Sequence, residues 1–225
     1  MPSTFLRLLP LLSLGLAVPA AAQTEPVAGV DEEVPLTPAT LGDALSCRSH
    51  PAAVAFATAL FLEGKPPEWM RAAGERKETE GMIGLFGYTL SQPVEMLGEP
   101  VTTVYFLKDW VLTLLPRSKA TAFLAAQKLE RAPIKVAEQY YRFVDPEAGP
   151  MLGAFEPTGG SMEAAFARAF GEKPPPSAPS DSLFVGCNYA PATKAEFLEM
   201  AAQSEAMLDE VAKGIAEAMG SAKPE

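Results

Sequence analysis

Residues 81–116, GMIGLFGYTLSQPVEMLGEPVTTVYFLKDWVLTLLP, are the least helical and most continuously apolar part of the chain beyond its extreme N-terminus. Met82, Phe86, Tyr88 and Leu90 alternate with Ile83 and Leu85, so apolar groups point to both sides. A strand with that pattern must be covered on both faces or lie at a sheet centre. Val101 to Leu107 repeats the signal, with Val101, Thr103, Tyr105 and Leu107 on one side. Residues 110–115 follow after only Lys108 and Asp109, the spacing of a two-residue hairpin, although a turn without glycine has no defined type. The stretch therefore predicts two or three adjacent strands at the centre of a sheet. Gly84 and Gly87 mark a bulge or a close backbone approach, and residues 92–100 (QPVEMLGEP) read as a turn-rich connection.

Helical patterns lie on either side. Thr40 is placed to cap a short helix ending near Cys47, and Ser49 to cap a second that opens with His50 and Pro51. In that second helix Val54, Ala57, Phe61 and Leu62 form the expected inward face, with Gly64 as its stop. Residues 67–73 suggest one or two more helical turns. Ser118 is expected to cap a helix to about Arg131, with Ala122, Phe123, Ala126 and Leu129 inward. Strands are expected at 137–144, 151–155 and 182–189, and a short amphipathic helix at 161–170. Three consecutive prolines make 172–181 a linker. Thr193 then caps a long helix over 194–219, whose Phe197, Ala201, Ser204, Leu208, Val211 and Ile215 suit packing on the sheet better than a coiled-coil seam. Helices flank the strands without strict alternation. The expected class is α+β, a mostly antiparallel sheet flanked by helices with a long C-terminal helix.

The N-terminus speaks to location. Residues 1–22 carry Arg7, an apolar run and Ala20-Ala21-Ala22, the pattern of a secretory signal peptide. That run is shorter than the roughly 20 residues a membrane span needs. Residues 23–38 are acidic and proline-spaced, an expected disordered lead-in, and 39–220 then form a single α+β domain. The net charge of −10 argues against nucleic acid and anionic membrane surfaces as partners. Two cysteines in an exported chain predict one bridge, Cys47–Cys187.

The search for chemistry is mostly negative. His50 is the single histidine, and at a helix start it is assigned a structural or surface role. The chain holds no GxSxG, HExxH, P-loop or GxGxxG motif and no CxxC pair, so no metal and no cofactor is expected. The Thr158–Ser161 sequence TGGS is common turn punctuation before it is an anion site. Glu63, Glu68, Glu95 and Glu156 sit at element ends where hydrolytic acids can lie, with nothing to select among them. Aromatic residues Trp69, Phe86, Tyr88, Tyr105, Trp110, Tyr140 and Tyr141 are core candidates ahead of pocket candidates.

No known family is recognised. The order of two helices and an antiparallel meander is similar to that of small exported inhibitor domains, which implies protein binding. The expectation is a monomeric, non-enzymatic binding protein of the periplasm or medium of a Gram-negative bacterium, with an unknown protein or small ligand of the envelope as partner. Its expected binding surface is made of turns, at Gln92, Glu95 and Glu99 and at Lys108 and Asp109. The competing expectations are an acid-using hydrolase of the envelope and a structural component that oligomerises through the C-terminal helix.

Overall fold

The computed structural model describes residues 33–74, 79, 82–134, 138–157, 180–203 and 210. The expected signal peptide, most of the acidic lead-in, the helix at 161–170, the TGGS turn and all but the end of the proline linker lie outside them.

Two short helices open the fold. Helix α1 (Pro38–Leu45) is capped by Thr37, not Thr40. Thr40 is instead the third helical residue and returns the bond, its Oγ1 accepting from the Thr37 N–H at 3.0 Å. Cys47 follows in the left-handed region (φ 59°), the place usually given to glycine after a helix. Helix α2 (His50–Ala57) is capped by Ser49, whose hydroxyl accepts from the Ala52 N–H at 3.2 Å, and it runs on as a π-helical turn, Thr58–Leu62. Gly64 (φ 65°) ends it as expected.

Eight strands form one sheet: β1 (Met70–Ala72), β2 (Leu85–Met96), β3 (Glu99–Leu107), β4 (Trp110–Pro116), β5 (Glu130–Arg131), β6 (Gln139–Phe143), β7 (Met151–Phe155) and β8 (Ser182–Asn188). Their order is β1-β2-β3-β4-β8-β7-β6-β5, with every neighbour antiparallel. Two four-stranded meanders thus lie side by side and meet at β4 and β8. Helix α3 (Arg117–Gln127) connects the first to the second. The α+β class and the antiparallel sheet agree with the sequence. The centre does not coincide with 81–116: only β4 is central, and β2 lies beside the edge strand.

Several local expectations fail for tertiary reasons. Residues 67–73 supply β1 because Met70 is buried against β2 and the Trp69 indole N–H donates to the Leu36 carbonyl at 3.3 Å. Residues 92–96 are strand, not turn. The register slips between Thr89 and Val94, a bulge that absorbs Pro93, and the reversal is the two-residue turn Leu97-Gly98, both with positive φ. Helix α3 begins at Arg117 with Pro116 as its cap residue and no Ser118 cap. Its buried residues are Ala120, Phe123 and Leu124, while Ala122 and Ala126 are exposed. Lys128 (φ 54°) stops it, and Glu130–Arg131 pair with β6. The C-terminal helix, α4, is described over 194–203; the rest of the expected 194–219 helix lies outside the described residues. Thr193 caps it with Glu196 in a reciprocal box, and Phe197 packs on Tyr141 and Phe143.

Helices α1, α2 and α3 cover one face of the sheet. Leu41, Leu45 and Phe56 meet Val104, Val111, Leu115, Leu183 and Val185 there in a continuous buried core. Gly42 lets α1 approach β2, since a Cβ there would lie 2.5 Å from the Glu95 carbonyl oxygen. Into this core runs the disulfide Cys47–Cys187, from the α1–α2 connection to β8. On the opposite face Tyr105, Leu112 and Phe184 are buried, with Trp110, Leu114 and Phe155 against them.

Candidate functional site

The predicted binding turns are not one surface. Leu97-Gly98 and Lys108-Asp109 close the two ends of β3, a nine-residue strand, so they stand about 25 Å apart. Gln92 and Glu95 project from β2, and Glu95 borders a shallow depression with Asp43 and Arg48 beside α1. The Glu99 carboxylate pairs with Lys119 of α3 at 3.8 Å. Lys108 and Asp109 instead border a hollow that also takes in the rings of His50, Phe106, Trp110 and Tyr189.

Lys108 takes the left-handed conformation (φ 50°) that a primed two-residue turn uses, and its ammonium lies 3.7 Å from the Asp109 carboxylate. This turn forms one wall of a cavity of about 120 Å³. The other walls are Ala53, Val54 and Ala57 of α2, Phe106 of β3, Trp110 and Val111 of β4, and the His50–Tyr189 pair. The imidazole lies flat on the tyrosine ring, with centroids 5.1 Å apart and planes 11° apart. Tyr189 is fixed from below. Its hydroxyl is directed at the Ala44 carbonyl (2.7 Å) and the Ser49 carbonyl (3.2 Å), and burial holds its pKa well above the ordinary value. It is therefore a permanent donor that ties β8 to the α1–α2 connection beside the disulfide.

Next to the cavity is an apolar ledge. Phe61, from the π-helical turn, packs its ring 5.0 Å from Phe86 of β2 and 5.8 Å from Phe106. Phe106 is shared between ledge and cavity. Val54 and Phe86 are each 51% exposed, Phe61 41% and Leu62 83%. Scattered exposed aliphatics need no explanation, whereas here a tilted pair of partly exposed rings adjoins a side-chain-sized hollow.

The charged clusters do something else. Arg117 donates to Glu138 at 2.8 Å, to Glu156 at 2.6 Å and to the Ser180 carbonyl. The Glu156 carboxylate also accepts the Ser180 N–H at 3.2 Å, and Tyr140 donates to Glu138 at 2.7 Å. Both carboxylates are thus occupied in holding the start of α3 against the ends of β6, β7 and β8. Burial opposes the charge on Glu138, yet the bonds from Arg117 and Tyr140 prevail and keep its pKa below the usual carboxylate value. A second cluster, in which Lys194 and Tyr141 donate to Glu130, anchors the start of α4. Of the four acids at element ends, Glu63 faces only Lys65 at 4.0 Å and Glu156 belongs to the Arg117 cluster in the other half-sheet. The fold does not gather them. Among the described residues there is no group of three or more His, Cys, Asp or Glu that could hold a metal ion.

Val54, Phe61 and Leu62 were expected inward. The helix buries Ala52, Ala53, Phe56, Ala59 and Leu60 instead, its small side chains against the sheet. The segment AAVAFATALFL is apolar all round, so its pattern does not fix which side faces in. Phe86 is one of seven aromatics expected in the core ahead of a pocket, and it instead has half its surface in water. No known protein family, characterised protein or solved structure matches the chain.

Proposed function

We propose that this is an exported, non-enzymatic binding protein that docks another protein through the ledge formed by Phe61, Leu62 and Phe86. The observation that supports the reading is the ledge itself: apolar rings in contact with one another, more than two-fifths exposed, and carried on elements rather than loops. Two half-buried rings already held in place lose little conformational entropy on binding, which suits anchor residues of an interface. The disulfide is consistent with an oxidising, extracytoplasmic location, where the periplasm is the compartment proposed.

The test is retention of a partner by the mature chain immobilised in envelope extract, compared with the double variant Phe61→Asp/Phe86→Asp. The wild type retains a specific protein and the variant does not, with circular dichroism checking that the variant stays folded at the assay temperature after losing two half-buried rings. Identical retention by the two proteins would refute the ledge as the docking surface.

A further inference from the structure

Resting on that reading, we infer that the partner presents a short, net-basic segment whose single aliphatic or aromatic anchor side chain enters the cavity between α2 and the Lys108-Asp109 turn, with a second apolar residue on the ledge. Size selects the ligand class. At about 120 Å³ the cavity lies below the roughly 300–1,000 Å³ of cofactor and small-ligand sites, and it matches one apolar side chain. Its lining is mostly apolar, with Ala53, Val54, Ala57, Phe106, Trp110 and Val111 beside four polar side chains. The spacing selects a segment. Phe106 belongs to the cavity, its ring lies 5.8 Å from Phe61, and Phe86 is its direct partner across β2 and β3, so the two subsites adjoin at about one helical turn of 5.4 Å. One continuous stretch of chain reaches both.

Area and charge decide against a second copy of this chain. Four partly exposed side chains fall far short of the ~800 Å² per partner that a stable symmetric interface buries. Two copies at −10 also repel at long range. The rim is locally neutral, with Lys108 beside Asp109 and Lys65 beside Glu63, so it repels neither sign. The field of the whole chain then favours a basic partner and raises its association rate at low salt.

The probe is a displayed library of random 12-residue peptides, selected on the mature full-length protein. Binders are measured against wild type, Ala57→Trp (which fills the cavity), Val54→Arg (a surface change that blocks its mouth) and Phe61→Asp/Phe86→Asp. The inference expects selected peptides to share an apolar residue, a second about one helical turn away and an excess of Lys and Arg. Their affinity falls about tenfold or more in both cavity variants and weakens as salt is raised. Peptides that bind the cavity variants like wild type but fail on the ledge variant would overturn this inference and leave the docking reading standing. No enrichment, binders of acidic composition, or a dimer in sedimentation dispersed by Phe61→Asp/Phe86→Asp would each overturn it as well.

Discussion

Removing the bridge gives the most quantitative test of how the two ends of the domain are held. Cys47 and Cys187 are 140 residues apart, and a closed loop of that length restricts the unfolded chain by about 5 kcal/mol at 25 °C in the chain-entropy treatment. Native contacts do not vanish with it, because the Tyr189 hydroxyl still reaches the carbonyls of Ala44 and Ser49. Cys47→Ala/Cys187→Ala is therefore expected to fold, with unfolding free energy lowered by about 3–5 kcal/mol. In urea the midpoint falls and the slope rises, since an uncrosslinked unfolded chain exposes more surface. Cys47 adds a second, local magnitude. At φ 59° an alanine carries a left-handed penalty of about 1–2 kcal/mol that glycine lacks. After the extra unfolded-state entropy of glycine, Cys47→Gly/Cys187→Ala should be about 0.5–1 kcal/mol more stable than the alanine pair. Equilibrium urea unfolding followed by circular dichroism measures all three proteins. An alanine pair within 1 kcal/mol of wild type would refute the entropic reasoning, and a glycine pair no better than alanine would refute the backbone reasoning.

Three further outcomes concern the sheet and its clamp. Arg117→Met leaves Glu138 and Glu156 partly buried without their cation and is expected to cost about 2–4 kcal/mol, read from thermal or urea unfolding. Because the Glu138 pKa is lowered on folding, its contribution is present above the unfolded carboxylate value and is lost as pH falls through the folded one; stability should therefore drop below about pH 4 in wild type and less steeply in Glu138→Gln. Gly186→Ala would place a Cβ 2.1 Å from the Val111 carbonyl oxygen, backbone of the central strand pair that cannot yield, and should cost about 3 kcal/mol or more, whereas Gly153→Ala meets the outer edge of the Trp110 ring at 2.7 Å, which can swing, and should cost about 1–2 kcal/mol. Equal melting temperatures for the two glycine variants would count against that distinction.

What the sequence revealed was what local chemistry decides. Ser49 before His50 and Pro51, Thr193 before Glu196, Gly64 after an apolar run and the two-residue spacing of Lys108-Asp109 each state a cap, stop or turn in adjacent residues, and each is present. The bridge was legible because two cysteines leave one pairing. Illegible features depend on distant partners. Residues 92–96 look like a turn until β3 is known to lie opposite, and Glu130 and Arg131 look helical until Tyr140 and Tyr141 pair with them. The facing of α2 was hidden because all of its sides are apolar, and the ledge was hidden with it.

That same ambiguity bears on why Phe61 and Leu62 face outward. A helix apolar on every side can bury only one, and the side taken here carries Phe56 and Leu60 with Ala52, Ala53 and Ala59. Phe61 and Leu62 on the other side offer a comparable apolar area, so burial alone selects only weakly between the two faces. The orientation is enforced from its start: Ser49 caps the helix, and just before it Cys47 is bonded to Cys187 while Tyr189 holds the Ser49 carbonyl. With its first turn fixed on two sides, α2 has little freedom to roll. The bridge and the tyrosine thus do more than close a long loop. They fix which face of α2 points outward, the one carrying Val54, Phe61 and Leu62.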